Sequence, residues 1–183
     1  MFSKALTVAL CLLAAPVWAV GLKITVAGEA NGVIEIDLLE DVAPKHVAQI
    51  TALAADGFYD GVFFHRVIQG FMAQTGDGEF ARDGGDMRRA GMGGSDLGDI
   101  EAEFSDLPFD RGVVGMARSQ NPNSANSQFF IMFAPGYFLN GQYTVVGRVT
   151  SGLDVLDAIK LGSGQNGSVV GAPDKMVKVE VID

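Results

Sequence analysis

Cysteine, histidine and positive charge are all scarce in this chain. Among 183 residues there is one cysteine, Cys11, and there are two histidines, His46 and His65. A lone cysteine forms no intrachain disulfide, and with two histidines there are too few ligands for a structural zinc site. Lysine and arginine number 13 against 22 aspartates and glutamates, for a formal net charge of −9. A surface of that sign repels a phosphate backbone, so nucleic acid is not expected as a partner. The G-x-S-x-G elbow of a serine hydrolase is missing. Ser124 and Ser127 sit instead in "NPNSANSQFF", where Asn, Pro and Ser build a turn before a strand. Asp77, Glu79, Asp83 and Asp86 do not follow calcium-loop spacing, and a solvated loop is expected there. "GMGGSDLG" lacks the preceding strand and the lysine of a phosphate cradle. No metal and no cofactor is expected.

The one sustained apolar run opens the chain. "MFSKALTVALCLLAAPVWAV" has a cation at Lys4, an apolar stretch over residues 5–17, and Val17-Trp18-Ala19 at its end. This is the pattern of a secretory signal cut after Ala19. A membrane anchor is the competing reading, but Pro16 ends the run well short of the roughly 20 residues a spanning helix needs. A lipid anchor on Cys11 is disfavoured by the bulky Leu10. Residues 1–19 are therefore expected to leave, taking Cys11 and Lys4 with them. Residues 20–183 form the mature domain, without stable membrane association.

What remains is rich in apolar residues, 48% of the whole, with 19% charged. That composition and length suit one folded domain with a sizeable core. Residues 22–26 and 33–39 flank a turn, with Ile34, Ile36 and Leu38 on one face and Glu35 and Asp37 on the other. "APKHVAQITALAADG" predicts a helix with Pro44 in the first turn, the stripe Val47, Ile50, Leu53, Ala54, and Gly57 at the stop. On it His46 is expected at the surface. Residues 63–77 predict two short strands around a turn at Gln69-Gly70. Residues 78–99, rich in Gly and Asp, predict a surface excursion. Further strands are expected at 112–118, 128–133, 143–149 and 176–183, and a second helix at 151–161. The pattern is that of a largely antiparallel sheet or barrel.

The informative residues are polar groups set into apolar strands. Period-two alternation puts Phe64, Arg66 and Ile68 on one face and His65 on the other. It groups Met72 with Gln74, and Gln128 with Phe130 and Met132. A strand histidine out of phase with the rest reads as a hydrogen-bonded structural residue. For Arg66 two readings stand on these residues. One is a buried arginine paired with a carboxylate beside satisfied amides. The other is an apolar concave site with one cation and two amides, suited to an uncharged peptide.

"FFHRVIQGFMAQTGD", "GVVGMARSQNPNSANSQFFIMF" and "FLNGQYTVVGRV" together resemble the cyclophilin family of peptidyl-prolyl cis-trans isomerases over residues 22–183. With the N-terminal signal, the likeness is to periplasmic bacterial members. The resemblance implies a mainly β, eight-stranded antiparallel closed barrel capped by two helices. It implies isomerisation of X–Pro bonds in exported, proline-containing polypeptides by a monomeric periplasmic enzyme. It implies Arg66 as the catalytic arginine and Gln74 as its partner. Phe71, Met72, Phe130 and Leu139 would form the proline pocket, Gln128 a hydrogen-bonding wall, and Ala117 a backbone guide. Three positions depart from the eukaryotic pattern: Arg118 replaces an asparagine, Phe138 a tryptophan associated with tight cyclosporin binding, and Tyr143 a histidine at the groove edge. They are expected to line the groove while weakening cyclosporin binding. A binding module using the same groove without turnover is the alternative class, and such a module has no need of Arg66.

Overall fold

Alternating apolar residues build the first hairpin. In β1 (Gly21–Ala27) Leu22, Ile24 and Val26 are buried, and in β2 (Gly32–Leu38) so are Ile34, Ile36 and Leu38. The two pair antiparallel from Gly21 opposite Asp37 to Val26 opposite Gly32. In the computed structural model the described residues are 20–183, and the expected signal, 1–19, lies outside them. After α1 (Pro44–Ala55) come β3 (Val62–Phe63), β4 (Arg66–Ile68) and β5 (Met72–Thr75). The rest is β6 (Val113–Met116), β7 (Phe129–Met132), β8 (Val145–Ser151), α2 (Leu153–Asp157) and β9 (Lys175–Ile182).

The strands form one antiparallel sheet in the order β3-β9-β1-β2-β8-β6-β7-β5-β4. The fold class is the expected one, but among the described residues there are nine strands where eight were expected. The extra strand arises because the segment from Val62 to Ile68 is interrupted at Phe64 and His65. Its first part pairs with β9 and its second with β5. Both edges of the sheet thus lie on one short segment. The seam of the barrel is spanned by covalent chain rather than by a ladder of hydrogen bonds.

The two helices pack on β9 and β2 respectively. The stripe Val47, Ile50, Leu53, Ala54 of α1 is buried as expected, and Gly57 takes the left-handed conformation (φ 73°) just past the helix end. His46, expected at the surface, is fully buried. Its Nδ1 donates to Glu103 Oε2 at 2.7 Å, and Glu103 also accepts from the backbone N–H groups of Lys45 and His46. Ala43 offers no capping side chain, so a glutamate far along the chain caps this helix. The second helix is shorter than the expected 151–161. Ser151 still belongs to β8, Gly152 is left-handed (φ 85°), and the Lys160 N–H turns away to the buried Asp174 carboxylate at 2.7 Å.

A main core fills the space between sheet and helices. A smaller apolar cluster of Met72, Phe109, Val113, Phe130, Met132, Leu139 and Val145 lies on the other face of β5 and β7. These strands are therefore buried on both sides, which is why Phe129–Met132 reads as a continuous apolar run. Gly115 makes the outer cluster possible. A Cβ there would stand 2.6 Å from both Phe109 and Phe130, whose rings stack at 5.8 Å.

Burial raises the Glu103 pKa, but the hydrogen bonds from the His46 side chain and from the His46 and Lys45 backbone outweigh it, holding the carboxyl below the usual carboxylate range. Its stabilisation is complete above the unfolded-state pKa and is lost as pH falls through the lower folded value. Glu103→Gln is expected to cost about 1 kcal/mol of stability at neutral pH. The gap to the wild type should close in urea titrations run well below about pH 4. An equal gap at both pH values would show that the carboxylate charge does not contribute.

Candidate functional site

Three neighbouring strands present the site. Arg66 lies opposite Gln74 and Gln74 opposite Phe130; in the next row Ile68 faces Met72 and Met72 faces Met132. Directly paired residues share a face, so these side chains form two adjacent rows on the outer surface. Val67, Ala73 and Ile131 alternate with them and enter the main core. Phe64, expected beside Arg66, does not join this face. The strand breaks at Phe64–His65, and Phe64 turns into the main core, fully buried.

All residues assigned from the resemblance except Gln128 line one cavity of about 300 Å³. Met72, Phe130 and Leu139 are buried members of the outer cluster, and Phe71 packs against them. Phe138 is 66% exposed at the rim, with its ring 5.5 Å from that of Phe71. Tyr143 meets Phe130 edge-on at 5.8 Å, and the Arg118 guanidinium lies 4.3 Å over the Tyr143 ring. Arg118 also donates to the carbonyls of Gln142 and Ser119, which fixes it against the wall. The Ala117 N–H donates to the Gln128 carbonyl, so Ala117 can offer a peptide only its own carbonyl. Gln128 lies in an adjoining cavity of about 600 Å³, bounded also by Gly93, Asp99 and Asn126. The two cavities share Gln74, Ala117 and Arg118.

Arg66 is half-buried and held by neutral acceptors. Nη1 donates to Gln74 Oε1 at 3.1 Å and Nε donates to the Asn166 carbonyl at 3.0 Å. Gln74 Nε2 donates in turn to Gln128 Oε1 at 2.9 Å. Among the described residues no carboxylate pairs with Arg66. The paired-arginine reading therefore fails, and both Nη2 hydrogens stay free to donate. Burial lowers the guanidinium pKa from its ordinary value, with Tyr143 opposing. An arginine so placed still keeps its charge at neutral pH.

His65 faces away from this cavity, as expected, but it is not hydrogen-bonded. It is buried, and among the described residues neither ring nitrogen has a partner. Burial lowers its pKa, against the attraction of Asp77. Asp77 itself was expected in a solvated loop and is instead fully buried. It accepts from the backbone N–H groups of Glu79, Phe80, Gly91 and Gly93. Asn166 has no local sequence signal beyond a Gly-rich turn. It acts through its carbonyl, and Gly167 (φ 69°) holds that turn against Ile68, where a Cβ would stand 2.3 Å from Cγ1.

Residues 22–181 match the family model described as "Cyclophilin type peptidyl-prolyl cis-trans isomerase/CLD". A probable peptidyl-prolyl cis-trans isomerase of Brucella suis is 60% identical over 153 residues, spanning 82% of this chain and 78% of its own. The crystal structure of a cyclophilin type peptidyl-prolyl cis-trans isomerase from Cryptosporidium parvum is similar at a TM-score of 0.75. It is 26% identical, with 91% of this chain and 99% of that one covered. The same protein in the presence of the dipeptide Ala-Pro is similar at 0.73, with 26% identity and coverage of 89% and 99%.

The cavity residues divide by burial into those the fold needs and those it leaves free. Phe130→Ala, at 5% exposure, is expected to cost about 3–5 kcal/mol in chemical denaturation. Phe138→Ala is expected to stay within about 0.5 kcal/mol of the wild type. Equal losses would mean that Phe138 is a structural residue rather than an open cavity rim.

Proposed function

This chain belongs to the cyclophilin-type peptidyl-prolyl cis-trans isomerases, and from that premise we propose that it speeds X–Pro rotation in exported polypeptides by donation from Arg66 to the proline nitrogen. The observation that carries the proposal is the position of Arg66. Its free Nη2 hydrogens share one cavity with the apolar cluster of Met72, Phe130 and Leu139. The dipeptide Ala-Pro present with the Cryptosporidium relative is of the same chemical class.

The X–Pro bond resists rotation because the nitrogen lone pair is delocalised into the carbonyl, with a barrier of about 18–20 kcal/mol. Halfway through the turn conjugation is lost and nitrogen regains its lone pair. A donor aimed at that nitrogen therefore stabilises the twisted state more than either planar one. No bond is made or broken, and no proton needs to leave. In this reading Phe71, Met72, Phe130 and Leu139 hold the proline ring still while the preceding carbonyl swings. Gln74 holds the guanidinium in register. The peptide before the proline continues past Gln74 and Ala117 into the adjoining cavity, within reach of Gln128 and Arg118, with Tyr143 left at the wall of the first cavity. An acceleration of about 10⁴-fold corresponds to about 5.5 kcal/mol, within what one charge-assisted contact plus orientation supplies.

Export rests on the N-terminal pattern over residues 1–19, and a periplasmic, monomeric enzyme free of the membrane is the reading proposed with it. In that reading residues 20–183 are the working domain.

Arg66→Ala is expected to lower kcat/KM on a proline tetrapeptide at least about tenfold with an unchanged circular-dichroism spectrum. The wild-type rate should be flat between about pH 6 and pH 9, since arginine stays protonated there. A folded Arg66→Ala variant with wild-type turnover would show that the rotation does not depend on donation from Arg66 and that the arginine serves the fold, whereas an inactive wild type would leave the protein a binding module.

A further inference from the structure

The loop over residues 78–99 enters the isomerase reading only as a wall of the adjoining cavity, yet it is tied to Arg66 by an unbroken run of hydrogen bonds. Gln128 Nε2 donates to the Gly93 carbonyl at 2.8 Å. Gln128 Oε1 accepts from Gln74, and Gln74 Oε1 accepts from Arg66. Gly93 is fixed from behind, because its N–H donates to the buried Asp77 carboxylate at 3.2 Å.

We infer that Gly93, held by Asp77, is a positioning element for Arg66, acting through Gln128 and Gln74; the inference rests on the proposed role of Arg66. The physical reason is polarity. A carbonyl can only accept and a guanidinium can only donate. Two carboxamides strung between them have a single orientation that satisfies every bond: each amide nitrogen toward Gly93, each amide oxygen toward Arg66. Without the Gly93 carbonyl, Gln128 is free to turn its amide end for end. It then presents a donor to the donor end of Gln74, and Gln74 restores the contact only by turning its own NH₂ against the guanidinium. Arg66 loses its acceptor and swings. The Gly-rich loop thereby sets the angle of a side chain that it never touches.

Asp77 and glycine at position 93 are both required by this arrangement. The carboxylate gathers four backbone N–H groups, from Glu79, Phe80, Gly91 and Gly93, so that the loop closes over one buried acceptor. A Cβ on residue 93 would stand 2.3 Å from Asp77 Oδ1 and 2.8 Å from the Glu79 Cβ. Only glycine lets the backbone approach closely enough to hold its carbonyl over Gln128. Gly93 also bounds the adjoining cavity, which offers a simpler role as a wall for bound peptide. The two roles separate kinetically: a wall affects KM, whereas a relay to Arg66 affects kcat.

The test is a double-mutant cycle on kcat and KM for a proline tetrapeptide. Gly93→Ala and Gln128→Met are each expected to lower kcat about tenfold. The double variant should be no slower than the slower single one, because either change already cuts the relay. Losses that multiply, or a raised KM with wild-type kcat, would overturn the inference. If Gly93→Ala does not fold, NMR of the wild type decides. A scalar coupling across the hydrogen bond between Gln128 Nε2 and the Gly93 carbonyl is expected, with slowly exchanging carboxamide protons on both glutamines, and their absence overturns the relay. A wild type without isomerase activity would refute the function, whereas an active wild type with variants outside this pattern refutes the relay alone.

Discussion

The site depends on the register between β4, β5 and β7, because a strand offers its side chains to alternate faces. Arg66, Gln74 and Phe130 form a row only while Arg66 stays opposite Gln74 and Gln74 opposite Phe130. A slip of one residue would send the guanidinium into the main core and bring Val67 and Ala73 out. The slip is prevented from several directions. Val67, Ala73 and Ile131 are fully buried and cannot be exchanged for charged or polar groups without large cost. Thr75 Oγ1 donates to the Phe63 carbonyl and Ser127 Oγ to the Gly76 carbonyl, both buried. The Tyr59 hydroxyl donates to the Ser127 carbonyl from the main core. Each of these bonds fails if the strands shift.

Burial on both faces follows from the same arrangement. A sheet with one wet face would leave Met72, Phe130 and Met132 exposed as an apolar patch. Here the outer cluster covers them, with Phe109 stacked on Phe130 and Leu139 folded in from a short turn. The covering is incomplete over one region, and that opening is the cavity. The same side chains therefore supply core stability and ligand surface. This accounts for the contrast between Phe130, fixed in the packing, and Phe138, which touches Phe71 but stands mostly in solvent. An apolar ring entering the cavity extends a packing arrangement already present, so little has to reorganise on binding.

Local alternation made the strand-borne part of this site legible, and the resemblance supplied the rest: Phe71, Ala117, Arg118, Phe138, Leu139 and Tyr143. Period two placed Arg66, the pair Met72 and Gln74, and the pair Gln128 and Phe130 on one face of each of three strands, and the structure brings those three faces together on one surface. The helix stripe of α1 was read correctly for the same reason. Failures came where a distant partner outweighs the local pattern. His46 sits at a position that reads as exposed on a helix, but Glu103 folds over it from a remote segment. Asp77 opens a Gly- and Asp-rich run that reads as solvated, and only the folded loop shows four N–H groups converging on it. Phe64 was misplaced because alternation assumes an unbroken strand, and the chain leaves β9 for β5 at that point. Asn166 and Gly93 act through backbone carbonyls, which no side-chain pattern displays.

The choice of neutral partners for Arg66 bears on how such a site could work. A carboxylate beside the guanidinium would orient it well, but would cancel much of its field at the proline nitrogen and bring the desolvation cost of a second buried charge. A carbonyl and a carboxamide orient it through dipoles and leave its net charge uncompensated. Half-burial then strengthens what that charge does, because fewer waters screen it. The cost appears as the lowered guanidinium pKa: the cation is less comfortable here than in water. Under the proposed mechanism, a group held in that state gains by meeting a lone pair that exists only in the twisted amide. Since planar amide nitrogen offers it nothing, that gain falls on the transition state rather than on bound substrate. In the proposed mechanism, charge held ready by neutral dipoles is what the rotation asks for, since no bond is made or broken and no proton has to leave.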